Sequence, residues 1–240
     1  MNDDEPHATS PLDFYFGRIA AAYVRGTLSV ADAVAAARPD LFATPLDGLA
    51  PAQLEALIRL GLEKGLRLHR FKRTMGLPRV ARVLGLLCGL APAELLDVGS
   101  GRGAFLWPLL DAFPDLPVTA IDSDERRVAV AMAVCAGGLE RLYARALDVT
   151  TLDLPDNGYD VVTMLEVLEH IPATERALAE VVRVARRFVV LSVPSKPDNN
   201  PEHIHLFDAN TLTRLLLAAG AVRVGCDHVL NHIIAVARIG

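Results

Sequence analysis

The chain has 240 residues, 52% of them hydrophobic and 22% charged, with a formal net charge of −5 at pH 7. That is chain enough for one large domain, or a domain with a cap, and the balance is that of a folded protein rather than a disordered one. A net negative molecule also lacks the overall field that draws nucleic acid irrespective of sequence. Cys88, Cys135 and Cys226 lie too far apart for a metal motif and read as free thiols of a reducing compartment. The acidic start MNDDEPHATSP has neither the basic opening nor the apolar stretch of a secretory leader, and no apolar run reaches the ~18 residues of a membrane helix. A cytoplasmic location is the expectation.

In chain order, residues 1 to about 11 read as a frayed tail. From Leu12 to about Ala91 the pattern is helical, broken at Gly26-Thr27, Arg38-Pro39-Asp40, Pro45 to Pro51 and Gly76-Leu77-Pro78. Ser29 followed by Asp32 is a helix start, ahead of the apolar face of Val30, Ala33, Val34 and Ala37. Pro51 opens a second amphipathic helix carrying Leu54, Leu57, Ile58 and Leu62. Near Glu94 the period changes to short apolar runs: Glu94–Val98, Val118–Ile121, Leu142–Leu147, Tyr159–Leu165 and Phe188–Val193. Such runs mark buried parallel strands. Helical stretches separate them at Ala104–Ala112, Arg126–Ala136 and Thr174–Ala185, and another follows at Ala209–Ala219. Two last apolar runs, Val222–Cys226 and Ile233–Ala237, follow without a helix between them. The order predicts an α/β domain with a mostly parallel sheet and one antiparallel strand at its end.

The most informative stretch is Leu95-Leu96-Asp97-Val98-Gly99-Ser100-Gly101-Arg102-Gly103, placed between the first strand and a helix. Glycines there let the backbone take positive φ and approach a ligand closely. Dinucleotide-binding enzymes use a related turn, so the glycines alone leave both ligand classes open. Asp97, two residues before the first glycine, suits a cationic amino-acid group and is poorly placed beside a pyrophosphate. The second strand ends in Asp122-Ser123-Asp124, where an acid about 20 residues beyond the turn can hold both ribose hydroxyls. The third leads to Asp148-Val149, where a carboxylate can accept from an adenine amino group, and the fourth ends in Met164-Leu165-Glu166.

Taken together, DVGSGRG, AIDSD and LDVTTLDLPDNGYDVVTMLEVLEHI resemble, in order, the motifs of class I S-adenosylmethionine-dependent methyltransferases over about Leu90 to Arg238. The resemblance implies a doubly wound, Rossmann-like, seven-stranded mixed sheet of order 3-2-1-4-5-7-6 in residues 91–240, behind an N-terminal helical extension or lid in residues 1–90. It also implies that Asp97, Gly99 and Gly101 line the methionine end of S-adenosylmethionine. Asp122 would hold the ribose, and Asp148 with Val149 the adenine, with Ser100, Ser123 and Leu165 also in the cofactor site.

Glu166-Val167-Leu168-Glu169-His170 follows the fourth strand, and a loop after the fifth carries His203-Ile204-His205-Leu206-Phe207. Two glutamates and two histidines at one crevice can make a mixed nitrogen and oxygen site for a divalent cation. The pattern ExxEH with a later HxF resembles the metal-dependent small-RNA 2′-O-methyltransferases and the ubiquinone-pathway O-methyltransferases. That resemblance puts Glu166, Glu169, His170 and His205 on Mg²⁺, Mn²⁺ or Zn²⁺, while many methyltransferases with EVLEHI use no metal. His170 and His205 are also the candidate proton acceptors. His203 reads as a loop histidine, His228 and His232 as structural or exposed, and Trp107 as core. The basic run Arg59, Lys64, Arg67, Arg70, Lys72, Arg73, Arg79 and Arg82, opposed only by Glu63, is either a solvated face or a seat for an anionic substrate. The reading favours O-methylation of a small-molecule acceptor. An RNA ribose 2′-O-methyltransferase stands as its alternative within the class, and a nicotinamide-dependent oxidoreductase or a non-catalytic binding module outside it.

Overall fold

The structure, a computed structural model, describes residues 10–28, 32–73 and 76–240. These fall into two compact units, one of the described residues up to 73 with 133–140 and the other of 76–132 with 141–240. Both the tail expected at the start, up to residue 9, and the helix start expected at Ser29 lie outside the described residues.

The first unit is helical: α1 (Pro11–Phe14), α2 (Gly17–Leu28), α3 (Asp32–Ala37), α4 (Pro39–Phe42) and α5 (Pro51–Glu63). Pro11, Pro39 and Pro51 each open a helix at its first turn, where a missing N–H costs nothing. The small side chains of Ala20, Ala21 and Ala22 are fully buried on α2, as are Leu57 and Ile58 on α5. Leu68 and Phe71 close this core, with the Tyr23 ring 5.0 Å from that of Phe71.

The second unit opens with α6 (Pro78–Leu90), which the sequence reading grouped with the N-terminal extension but which clusters with the sheet. Then come β1 (Leu95–Val98), α7 (Leu106–Ala112), β2 (Val118–Asp122), α8 (Glu125–Ala136, whose last residues count with the helical unit), β3 (Leu142–Ala146), β4 (Tyr159–Leu165), α9 (Thr174–Val184), β5 (Ala185–Pro194), α10 (Ala209–Ala218), β6 (Arg223–Val229) and β7 (His232–Arg238). The strand order is β3-β2-β1-β4-β5-β7-β6. All neighbours up to β5 are parallel, and β7 runs antiparallel to both β5 and β6. This is the expected order. The reversed β7 also separates the sheet from the all-parallel dinucleotide-binding arrangement.

Leu96, Val98, Val162, Met164, Val189 and Leu191 make the central strands apolar throughout, as a sheet covered on both faces requires. The edge strand β3 instead exposes Tyr143 and Arg145, and Arg145 faces Asp153 at 3.7 Å, a charged edge that discourages further strand pairing. Because β1 to β5 are parallel, their carboxyl ends, and the loops carrying the sequence motifs, meet along one edge.

Candidate active site

The turn after β1 is built on left-handed glycines, with φ of +71° at Gly99, +57° at Gly101 and +85° at Gly103. A Cβ on Gly99 would also run into the side chain of Val167. The turn is clamped to the next strand: Gly99 and Ser100 donate to the Ile121 carbonyl at 2.8 and 3.1 Å, and the Gly101 N–H donates to Asp122 Oδ2 at 2.8 Å. Asp122 Oδ1 accepts from the Asp124 N–H at 2.9 Å, and Arg127 stands 3.5 Å from Oδ2. Each Asp122 oxygen therefore has one backbone donor and a second lone pair to offer a ligand.

Asp97 is buried behind this turn at 2% exposure. Its Oδ1 accepts from Thr163 Oγ1 at 2.8 Å, while Oδ2 has no hydrogen-bond partner among the described residues. Burial pushes its carboxyl up to about 6, against the pull of hydrogen bonding to Ser100 and Thr163. Asp148, exposed beyond β3, accepts at Oδ1 from both the N–H and the hydroxyl of Thr150 at 2.8 Å, and these bonds hold its carboxyl below the usual range.

One cleft of about 720 Å³ brings these strand ends together. Its lining includes Gly99, Gly101, Asp122, Ser123, Asp148, Val149, Glu166, His170 and Glu202. Asp97, Ser100 and Leu165 line a side cavity of about 160 Å³ on the other side of the turn, which shares Gly99, Gly101 and Glu166 with the cleft.

The residues considered for a metal divide into two groups. Glu166 takes a left-handed φ of +57°, a conformation that costs a non-glycine residue about 1–2 kcal/mol, and its N–H donates to the Ser192 carbonyl at 2.9 Å. Ser192 Oγ donates to its Oε1 at 2.7 Å; His232 Nε2 lies 3.0 Å and Arg79 Nε 3.8 Å from Oε2. Glu166 is thus occupied by β5, β7 and α6, and His232 has a definite role as its partner.

Glu169, by contrast, is fully buried with both carboxylate oxygens unpartnered among the described residues. Burial first, and the nearby Glu166 charge as well, push its carboxyl up to about 8. Around it stand His170 and His203, and one potential ligand atom from each of the three lies within 4.8 Å of the others. His203 Nε2 is 4.0 Å from Glu169 Oε1, and its Nδ1 lies 2.9 Å from Asp198 Oδ2. His170 Nδ1–H donates to the Glu202 carbonyl at 2.9 Å, and the His170 and His203 rings meet edge to face at 4.8 Å. With both Nδ1 atoms acting as donors, each neutral ring keeps its Nε2 lone pair free.

His205 falls outside this group. Its Nε2–H donates to the Ile171 carbonyl at 3.1 Å, and its ring leans on Phe207 at 5.7 Å. The structure therefore brings together Glu169, His170 and His203, and directs Glu166 and His205 elsewhere. Sequence reasoning passed over His203 because the irregular segment from Asp198 to His203 has no periodicity to read. The available signal was Asp198 itself, a carboxylate five residues earlier able to orient the ring. Of the basic run, Arg82 pairs with Asp227 at 2.8 Å and Arg59 approaches Glu55 at 4.0 Å, so part of its charge is balanced locally.

Residues 95–187 match a family model described as a methyltransferase domain. Over 105 residues the chain is 35% identical to a malonyl-[acyl-carrier protein] O-methyltransferase of Geobacter sulfurreducens, covering 43% of this chain and 39% of that protein. Over 141 residues it is 31% identical to a probable S-adenosylmethionine-dependent methyltransferase of Mycobacterium tuberculosis, covering 55% and 49%. The matched region thus spans less than half the length of these curated relatives. Among solved structures, a SAM dependent methyltransferase from Aquifex aeolicus superposes with a TM-score of 0.58 at 25% identity, over 67% of this chain and 89% of that one. Magnesium protoporphyrin IX methyltransferase from Synechocystis PCC 6803 shares the fold, with a TM-score of 0.55 at 20% identity over 68% and 82%.

Proposed function

We propose that the chain, whose residues 95–187 match a methyltransferase-domain model, acts as a class I S-adenosylmethionine-dependent methyltransferase and transfers the sulfonium methyl group to a hydroxyl oxygen of a small-molecule acceptor. The observation that carries this reading is the single cleft in which Asp122 and Asp148 stand at successive strand ends with His170 on the same wall. Two carboxylates with lone pairs to spare match the ribose hydroxyls and adenine amino group of the cofactor. The acceptor oxygen attacks the methyl carbon as the bond to sulfur breaks, leaving S-adenosylhomocysteine. Most of the acceleration comes from holding the two in line. The hydroxyl proton passes to a base, for which His170 has the better geometry: it lines the cleft with Nε2 free, whereas the Nε2 of His205 is spent on a carbonyl.

The expectation of a divalent metal fits the donor set of Glu169, His170 and His203. Two unpartnered buried carboxylate oxygens need a cation or a proton, and a carboxylate on the far nitrogen of His203 is the support that metal-binding histidines have. Two imidazoles and one carboxylate suit Zn²⁺ or Mn²⁺ better than Mg²⁺. When bound, such an ion would take the lone pair of His170 and, in place of that base, lower the pKa of an acceptor hydroxyl.

The test is calorimetry with S-adenosylhomocysteine, followed by methyl transfer from labelled S-adenosylmethionine to small phenols, catechols and carboxylic acids, with RNA 3′ ends as the rival acceptor. Asp122→Ala is expected to weaken cofactor binding tenfold or more, since it removes the ribose acceptor and loosens the clamp on Gly101. Undiminished affinity overturns the ribose assignment, and turnover on RNA alone overturns the acceptor class.

A further inference from the structure

We propose that the chain pairs with a second copy of itself through the outer edge of β6, the two strands running antiparallel with Gly225 of each copy on a two-fold axis.

The edge is open. β6 is the last strand of the sheet, and β7 is its one neighbour. In antiparallel pairing, residues whose N–H and C=O face one neighbour alternate with residues that face the other side. The Ile239 N–H donates to the Arg187 carbonyl at 2.9 Å and the Ser195 N–H to the Asn231 carbonyl at 2.8 Å, which turns the odd-numbered residues of β7 toward β5. Its even-numbered residues therefore face β6, where the register sets them against Arg223, Gly225, Asp227 and Val229. The backbone groups of Val224, Cys226 and His228 are left pointing outward. Asp227 Oδ1 covers the His228 N–H at 2.8 Å, but no strand among the described residues meets Val224 or Cys226 on that side. Such an edge is a template for another strand.

The side chains select both the occupant and the register. Self-pairing has to join outward residues to outward residues, so the two-fold axis must fall on a residue. An axis on Asp227 would set two carboxylates face to face. One on Val224 or Cys226 would leave Arg223 opposite Gly225 or Val229. An axis on Gly225 instead sets Arg223 of each copy opposite Asp227 of the other, two cross-strand pairs of opposite charge. Arg223 is exposed and has no ion pair among the described residues. Asp227 Oδ2 meets Arg82 at 2.8 Å, with both side chains about half exposed, and keeps a lone pair for a second guanidinium. At the axis the two strands would form a non-hydrogen-bonded pair, with Cα atoms only about 4.5 Å apart. Glycine suits that approach, and nothing within the chain explains it there: a Cβ on Gly225 would have no neighbour within 4 Å.

The apolar surface agrees with this register. Leu230 is 77% and Val222 60% exposed, at opposite ends of β6. The pairing carries Leu230 of one copy to Gly220 of the other, beside Val222 and beside Leu217, whose carbonyl accepts from the Gly220 N–H at 3.1 Å. Large side chains left in water by one copy would be covered by the second.

Sedimentation velocity of the full chain from about 1 to 200 μM tests this. A dimer is expected to build up with concentration. Val224→Pro removes an outward N–H, a change that a lone edge tolerates, and should weaken association about tenfold or more with little change in melting temperature. Arg223→Asp and Asp227→Arg each place like charges opposite one another and should weaken it about tenfold, while the two together restore it to within about threefold. The charge exchange decides the matter if the proline variant fails to fold. Gly225→Cys, in a chain whose own Cys88, Cys135 and Cys226 are replaced by serine, should give a covalent dimer on mild oxidation. A monomer at every concentration overturns the inference and leaves the edge to a strand of another protein. A dimer that survives Val224→Pro, or in which the two charge changes do not compensate, overturns it too, since the contact then lies elsewhere or in another register.

Discussion

Asp97 and Glu169 are both buried carboxylates near the carboxyl edge of one sheet, yet their surroundings differ in kind. Asp97 sits at the end of β1 with one oxygen on Thr163 and one unpartnered, facing a small cavity that also holds a guanidinium. Glu169 sits in the 3-10 turn after β4 with both oxygens unpartnered among the described residues, and a ring nitrogen of His170 and one of His203 lie within 4.8 Å of one of them. The first arrangement leaves room for one ammonium; the second leaves a carboxylate that must hold a proton or share a cation. Their proton affinities follow, about 6 for Asp97 and about 8 for Glu169. The difference teaches that burial alone does not assign a role; the number of unpartnered oxygens and the charge of the nearest neighbours do.

The harshest way to break the comparison is to remove the turn on which the Asp97 side depends. Gly99→Ala would place a side chain at φ +71°, against Val167 in the loop that leads to Glu169. The left-handed conformation and the overlap together should cost roughly 2–4 kcal/mol, or about 5–15 °C in melting temperature for a protein of this size. Thermal unfolding by circular dichroism reads this directly. A variant as stable as wild type would mean the turn is soft, and the precision ascribed to Asp97 would go with it.

The parts of this site that were legible in the sequence are those fixed by local chemistry. Glycines ending a buried strand declare a positive-φ turn, and acids at the ends of the second and third strands declare acceptors, because a parallel sheet delivers every strand end to one edge. Tyr159–Leu165 is bounded as its apolar run suggested. The boundary of the sheet unit was harder to see, because Gly76-Leu77-Pro78 looks like one more break in a helical series, while α6 clusters with the sheet. Less visible still was the division of the ExxEH pair. Glu166 and Glu169 are three apart, as on one helix face, but Glu166 is in the left-handed region and only Leu168–His170 form a turn. One backbone reversal sends the two carboxylates in different directions, and composition does not announce it. His203 and His205 are separated in the same way, since alternate residues of an extended segment need not reach the same neighbour once the segment bends.

A milder perturbation tests the Glu169 side. With an ordinary value near 4.5 when unfolded and about 8 when folded, this carboxyl gives the folded state an extra proton between those limits. Its contribution to stability is therefore complete below about pH 4.5 and is lost as the pH rises through about 8. After EDTA treatment, Glu169→Gln should gain on wild type by on the order of 4 kcal/mol between pH 5 and pH 9, measured as the difference in urea midpoints. Zn²⁺ or Mn²⁺ should raise the wild-type melting temperature and leave Glu169→Gln unmoved. If both proteins lose stability in parallel as pH rises, Glu169 is not the buried acid described. If the metal stabilises both equally, the ion binds elsewhere.

The gentlest test concerns Asp97, whose two roles pull against each other. Its carboxyl is raised from about 3.8 to about 6 by burial, so in the ligand-free protein its contribution to stability is full below about pH 3.8 and is lost as pH rises through about 6. An ammonium ligand demands the opposite, the ionised form. Binding of S-adenosylhomocysteine should therefore weaken as pH falls from 7 to 5, by about fivefold to tenfold, because a group titrating near 6 is mostly ionised at the first value and mostly protonated at the second. Asp97→Asn keeps the shape, removes the titration and should flatten this profile at a uniformly lower affinity. 5′-Methylthioadenosine, lacking the ammonium, should show little of the slope even with wild-type protein. A slope that survives in Asp97→Asn would move the titrating group to another residue. A slope shared by both ligands would place the proton on the nucleoside side of the turn rather than on Asp97.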